Sequence, residues 1–218
     1  KSQDESYGDE RAMVVHIAAQ YGHLEILSIV QRHYPAALQG TNARGEYPIH
    51  VAVRCGQMKV VQWIVNNGGS LKVKDQNGLT PLLTAVMQGQ LDAVKWLISM
   101  GSSLEDEKDA DGSTPFLLAC FLGNLEMVQW MAQRDTNMRD IHAKLSQEAE
   151  NISTGEGELS EMTKKIHADG ELLLLSSPIF EACNNDGNTP LMVAAVNGSA
   201  EVVEWLLSKG AKVRRRNV

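Results

Sequence analysis

A short cassette returns four times along the chain, and its spacing constrains the fold more than any other feature of the sequence. It reads Gly45-Glu46-Tyr47-Pro48-Ile49-His50-Val51-Ala52, Gly78-Leu79-Thr80-Pro81-Leu82-Leu83-Thr84-Ala85, Gly112-Ser113-Thr114-Pro115-Phe116-Leu117-Leu118-Ala119 and Gly187-Asn188-Thr189-Pro190-Leu191-Met192-Val193-Ala194. The first three prolines, Pro48, Pro81 and Pro115, are almost evenly spaced, and the step to Pro190 is a little over twice as long. A degenerate copy, Met13-Val14-Val15-His16-Ile17-Ala18, puts Val14 one such regular step ahead of Pro48. Self-similarity at such a period means that one supersecondary unit is repeated, each copy too small to bury its own apolar face.

Each recurring residue type has a physical reason. Gly45, Gly78, Gly112 and Gly187 mark a tight turn that needs a positive φ. Thr80, Thr114 and Thr189 are expected N-caps, each followed by a proline at the first helical position, where the missing N–H costs nothing. The short inner helix then stops at Gly22, Gly56, Gly89, Gly123 and Gly198 in the left-handed conformation. The alanines Ala18, Ala52, Ala85, Ala119 and Ala194 let neighbouring units approach closely. An outer helix with apolar residues at helical spacing follows, as in Met58-Lys59-Val60-Val61 and Leu91-Asp92-Ala93-Val94. Four outer helices carry a tryptophan, Trp63, Trp96, Trp130 and Trp205, and repeat-locked tryptophans on an apolar face read as packing residues rather than an aromatic cage.

These cassettes resemble the T-P-L-H-x-A motif of ankyrin repeats at their period of about 33 residues, and the chain is similar to that family over nearly its whole length. The resemblance implies an all-α solenoid of helix-turn-helix units with β-turn tips, with five recognisable units and one degenerate or inserted helical unit. The units are expected at about 11–41, 42–74, 75–108, 109–140, 141–182 and 183–215, in a single domain spanning 11–218, with residues 1–10 as an N-terminal tail or cap.

The unit at 141–182 breaks the pattern. The interval from Pro115 to Pro190 holds one repeat plus about 41 or 42 residues. Asn137-Met138-Arg139-Asp140 and Ile179-Phe180-Glu181-Ala182 both read as closing loops, so a whole extra unit fits between them. Gly157-Glu158-Leu159 falls one repeat length after Gly123-Asn124-Leu125, yet the Thr-Pro signature, the tryptophan and the turn glycine are missing. Helical runs are expected near 140–152 and 159–168, separated by the Ser153–Gly157 break. The stretch is either a degenerate repeat with an enlarged loop or a helical insertion with contacts of its own, and Leu172–Ser177 belongs either to the core or to a partner.

Composition removes several functions. A net charge of −7 argues against nucleic acid as the ligand, and Arg214, Arg215 and Arg216 read as a solvated tail. Cys55, Cys120 and Cys183 are odd in number and far apart, which fits neither a disulfide framework nor a zinc site and points to the cytoplasm or nucleus. The longest apolar run, Leu172–Leu175, is far below the ~20 residues of a membrane span. No nucleophile–base pair, phosphate-binding glycine loop or metal spacing stands out, so neither catalysis nor a cofactor is expected. Charges at Asp9, Glu10 and Arg11, and at Lys209, Lys212, Arg214, Arg215 and Arg216, are expected to cap the two ends of a soluble monomer.

The resemblance implies a protein–protein interaction scaffold that binds a protein or peptide through its concave surface. An alternative is the targeting or substrate-recruiting part of a larger multidomain enzyme or channel. Carried over position by position, the tips supply Arg44, Glu46, Gln76, Asn77, Leu79, Asp111, Ser113, Asn185 and Asn188, and the inner-helix ends supply Arg54, Met87, Gln88, Phe121, Leu122 and Asn197. Met87, Phe121 and Leu122 depart from the polar residues usual at helix ends, so either the three form an apolar recognition patch or the irregular unit covers Phe121 and Leu122 and makes them core. The acidic loop Glu105–Asp111 would favour a partner of basic character.

Overall fold

The computed structural model describes residues 4–135 and 178–211, which contain helices and turns and no strand. The chain divides into two compact bodies, Lys1–Leu118 and Ala119–Val218. In the first body the helices are α1 (Asp4–Tyr21), α2 (Leu24–His33), α3 (Pro48–Arg54), α4 (Met58–Asn66), α5 (Pro81–Met87) and α6 (Leu91–Ser99), followed by the start of α7 (Pro115–Leu122). The second body holds the end of α7, then α8 (described over 125–135), a 3-10 turn at Pro178–Phe180, α9 (Pro190–Val196) and α10 (Ala200–Ser208).

The inner helices α3, α5 and α9 begin where the sequence places them, on a proline preceded by an extended residue. The cap chemistry then varies with the third helical residue. Where that residue is leucine, the threonine hydroxyl accepts its N–H, Thr80 from Leu83 at 3.3 Å and Thr114 from Leu117 at 3.4 Å. In α3 the cap position is Tyr47, and the roles reverse: the His50 ring Nδ1 accepts the Tyr47 N–H at 3.1 Å. Thr189 has the backbone of a cap without the side-chain bond, and nothing in the structure explains the difference. The first repeat has Val14 where the others have proline, so nothing forces a helix start there. Its inner helix accordingly begins at Asp4, and most of the stretch expected as a tail or cap is helical.

Among the described residues, all five inner helices end in the same hydrogen bond. The N–H following the stop glycine returns to the repeat-locked alanine: His23 to Ala18 at 2.9 Å, Gln57 to Ala52 at 2.8 Å, Gln90 to Ala85 at 3.0 Å, Asn124 to Ala119 at 3.2 Å and Ser199 to Ala194 at 2.9 Å. This is the six-to-one bond of a Schellman stop, which a residue with positive φ closes; Gly56, for example, has φ of +70°. The alanines are at most 2% exposed, so each serves both the stop and the close approach of helices.

The core lies between inner and outer helices, on Leu27, Val60, Val61 and Ile64, then Leu82, Leu83, Val94 and Leu97, and in the second body on Met127, Val128, Met131 and Leu206. Each such side chain contributes roughly 1.5–3 kcal/mol by leaving water. The four tryptophans sit at the margin of this core, all half-buried. Trp205 packs beside Phe180, ring centroids 6.0 Å apart, and the Arg134 guanidinium lies 5.8 Å from the Trp130 centroid.

Most of the irregular unit expected at 141–182, including its helical runs and Leu172–Ser177, lies outside the described residues, as does the closing loop at 137–140. Ile179 and Phe180, at its far end, are buried. Within the second body, a Cβ built on Gly123 would meet Ser199 Oγ at 2.5 Å. In the first body the stop glycine of one repeat has the same relation to the next: a Cβ on Gly22 would meet Gln57 Oε1 at 2.6 Å. The fourth and last cassette-bearing repeats are therefore spatial neighbours.

Candidate functional site

The tips are built from an Asn or Asp whose side chain closes the turn. Asn42 Oδ1 accepts the N–H of Arg44 at 2.9 Å and of Glu46 at 3.0 Å. Asp75 does the same for Asn77 and Leu79, both at 2.8 Å, and Asp109 for Asp111 at 3.0 Å and Ser113 at 2.7 Å. Asn184 repeats it with Asp186 at 3.2 Å and Asn188 at 2.9 Å. In each tip the anchor's own N–H also reaches the carbonyl four residues on. Such Asx turns hold a loop at about 0.5–1.5 kcal/mol per bond, and here they fix the backbone on which the candidate contact residues sit.

Successive tips in the first body touch through their backbones. The Ala110 N–H donates to the Asn77 carbonyl at 3.1 Å. A Cβ on Gly78 would lie 2.7 Å from Ala110 N, and one on Gly45 would lie 2.9 Å from Gln76 N. Glycine is required at both positions twice over, by φ of +76° and +67° and by this approach.

Histidines tie the first two inner helices to the tips that follow them. His50 has no exposed surface; its Nε2 donates to the Leu79 carbonyl at 2.9 Å, while its Nδ1 accepts from Tyr47. The bond accepted at Nδ1 requires the neutral ring, and burial lowers the His50 pKa from its ordinary value, an effect only partly opposed by the Leu79 carbonyl and the carboxylates of Asp75 and Glu46. His16 makes the corresponding bond, 2.7 Å to the Glu46 carbonyl.

The expected contact residues divide by exposure. In the first body Arg44, Gln76, Asn77, Gln88 and Asp111 are exposed, Met87 is 39% exposed, and Arg54 and Leu79 are half-buried. In the second body Asn185 and Asn197 are exposed, Phe121 is 41% exposed, and Leu122 and Asn188 are half-buried. Two residues differ from the expectation of an exposed tip. Glu46 is buried because its carboxylate turns inward, accepting from Asn42 Nδ2 at 2.7 Å and pairing with Arg54 Nε at 3.0 Å. Burial alone would raise its pKa, but Asn42 and Arg54 outweigh burial and hold it below the usual carboxylate value. Ser113 is buried too, immediately before the helix cap, with its N–H and carbonyl both bonded to Asp109.

The acidic loop is likewise part structure, part surface. Glu107 accepts from the Thr80 hydroxyl and from the Ser103 N–H, the latter at 2.9 Å, while Glu105, Asp106 and Asp111 are exposed. The anchors Asn42, Asp75, Asp109 and Asn184 were not among the expected tip residues. Each stands six positions ahead of its cassette proline, Pro48, Pro81, Pro115 or Pro190, and that constant offset is the signal that marks them. Elsewhere in the first body an open hollow of about 330 Å³ is lined by Pro35, Leu38, Tyr47, Ile49, Ile64 and Val73 among others, with no charged side chain.

No helix among the described residues is long and apolar enough to cross a membrane. Helix pairs that recur with the cassette, joined by rigid tips and packed through small residues, define a helical-repeat protein. The family model for ankyrin repeats in three copies matches residues 2–75, 49–142 and 164–217, and the chain belongs to the ankyrin-repeat family. Ankyrin repeats are generally protein–protein interaction modules. No curated protein matches the chain.

Proposed function

We propose that this chain is a non-catalytic recognition scaffold that holds a protein or peptide partner along its tips and inner-helix ends. The observation that carries this reading is the contrast within each tip: the backbone is bonded by its Asx anchor, while Arg44, Gln76, Asn77 and Asp111 project outward from it. A rigid support with outward polar groups binds without first having to order itself. Met87 and Phe121, apolar and about two-fifths exposed at inner-helix ends, supply the kind of side chain that dominates binding energy. The exposed Glu105, Asp106 and Asp111 favour a partner of basic character, and a reducing compartment, cytoplasm or nucleus, suits the three free cysteines.

The test is affinity capture from native extract with the wild-type chain and a Met87→Asp/Phe121→Asp variant whose thermal midpoint is checked first. Loss of a captured protein from a folded variant supports the reading. Equal capture by both chains, or an association rate independent of salt, removes the surface or the basic partner respectively.

A further inference from the structure

The hollow in the first body opens where the junction between outer helix and tip lacks a group that its counterpart one repeat later supplies. In the third repeat that junction is closed by Glu107, whose carboxylate accepts from the Thr80 hydroxyl and, at 2.9 Å, from the Ser103 N–H. The matching positions in the second repeat are Tyr47, Ser70 and Val73. Tyr47 and Thr80 each precede the cassette proline, and Val73 and Glu107 each stand two ahead of their tip anchors, Asp75 and Asp109. Ser70 and Ser103 match in backbone as well as in kind. The residue before each returns its N–H to the outer helix, Gly69 to Ile64 at 2.8 Å and Ser102 to Leu97 at 3.1 Å. Each serine hydroxyl then accepts the N–H two residues on, from Lys72 at 3.1 Å and from Glu105 at 3.3 Å. A valine at 73 offers the Ser70 N–H no carboxylate, and Tyr47, Ser70 and Val73 all line the hollow, with Leu38, Ile49 and Ile64 giving it an apolar wall.

We propose that the hollow binds a small monocarboxylic acid with an apolar body, its carboxylate taking at the second repeat the place that Glu107 fills at the third. Ser70 supplies the N–H, and Tyr47 a phenol in place of the Thr80 hydroxyl. The charges agree. No charged side chain lines the hollow, and Val73 stands between Lys72 and Lys74, both exposed. The Lys74 ammonium donates to the Lys108 carbonyl at 2.8 Å, which leaves Lys72 to offset the ligand's charge. A volume of about 330 Å³ is at the lower end of small-molecule pockets. The site lies at the opposite end of α3 from Arg54, apart from the inner-helix ends that hold a protein partner in the reading above.

Proton–nitrogen NMR of the full chain, titrated with hexanoate and separately with hexanol at neutral pH, tests this. Hexanoate should shift the Ser70 amide and its neighbours saturably, with half-saturation at roughly millimolar concentration for a ligand of this size. The alcohol, equal in chain length but uncharged, should bind at least about tenfold more weakly. Val73→Glu supplies the carboxylate from within and should abolish hexanoate binding, its fold verified by far-UV circular dichroism. Val73→Thr keeps the shape without the carboxylate and should still bind. The comparison of acid with alcohol uses the wild-type chain alone and decides the matter even where a variant does not fold. No saturable shift around Ser70, an alcohol that binds as tightly as the acid, or a folded Val73→Glu chain that still binds hexanoate each overturns the proposal.

Discussion

His50 offers the sharpest test of how the inner helices are fastened to the tips. The ring is buried and neutral, donating to Leu79 and accepting from Tyr47, and its pKa is lowered chiefly by burial. Protonation would place an N–H at Nδ1 against the Tyr47 N–H, so the folded state resists the proton that the unfolded state takes up at an ordinary pKa of about 6.5. The unfolded state then binds more protons as pH falls, and stability contributed above that value is lost on acidification. From about pH 7.5 to about pH 5.5 this one group removes at most about 1.4 kcal/mol, the bound being reached if the folded ring stays neutral throughout. His50→Leu copies the leucine that the third repeat carries at the same position, Leu83, so burial is preserved while the bonds are lost. At about pH 7.5 the variant should be less stable by about 1–3 kcal/mol, because the Tyr47 N–H loses its acceptor while the Leu79 carbonyl keeps its bond from Asp75. Urea titrations at both pH values should show that gap narrowing as pH falls, since every other titrating group is common to the two chains. An unchanged gap would refute the account of His50 as a neutral, burial-shifted clamp.

Three further perturbations separate the remaining parts. Gly78→Ala should cost more than Gly187→Ala in urea unfolding: both have positive φ, worth about 1–2 kcal/mol, but only Gly78 would put its Cβ 2.7 Å from a neighbouring tip's nitrogen, whereas nothing lies within 4 Å at Gly187. Glu46→Ala should destabilise by about 1–2 kcal/mol at neutral pH, with Arg54→Ala losing less because Arg54 is one-third exposed. The Glu46 penalty should shrink as pH falls through the carboxylate range, because a group whose folded pKa is lowered gives its stability above the unfolded value. Finally, removing residues 136–177 would leave Pro190 as far along the chain from Gly123 as Pro81 is from Gly56. With Gly123 already against Ser199, the circular dichroism spectrum should be retained and the midpoint kept within about 3 °C, whereas an unfolded product would mean that the stretch supplies a packed layer.

The repeat was legible because glycine and proline have few uses: a proline that returns once per repeat length, with a glycine three positions before it, admits one local geometry. The tip anchors were harder to see because the position alternates between asparagine and aspartate, and what recurs is an oxygen acceptor rather than a residue. Glu46 and Ser113 misled for the opposite reason. Polar residues at a tip normally face water, and only their partners, Arg54 on the following helix and Asp109 at the start of the same turn, show that these two do not. The helical start at Asp4 follows from a missing proline, an absence that motif matching passes over.

The anchor position has a consequence for how such a surface can change. Its two bonds need one oxygen, which an amide and a carboxylate supply equally well, as the series Asn42, Asp75, Asp109, Asn184 shows. Exchanging Asp for Asn there alters the charge along the tips one unit at a time while the turn is kept. Asn42 is the exception, since its amide nitrogen also donates to Glu46 and a carboxylate would face another carboxylate. Electrostatic character and backbone shape are thus inherited separately along this edge, so a lineage carrying it can drift toward partners of different charge without rebuilding the turns that present them.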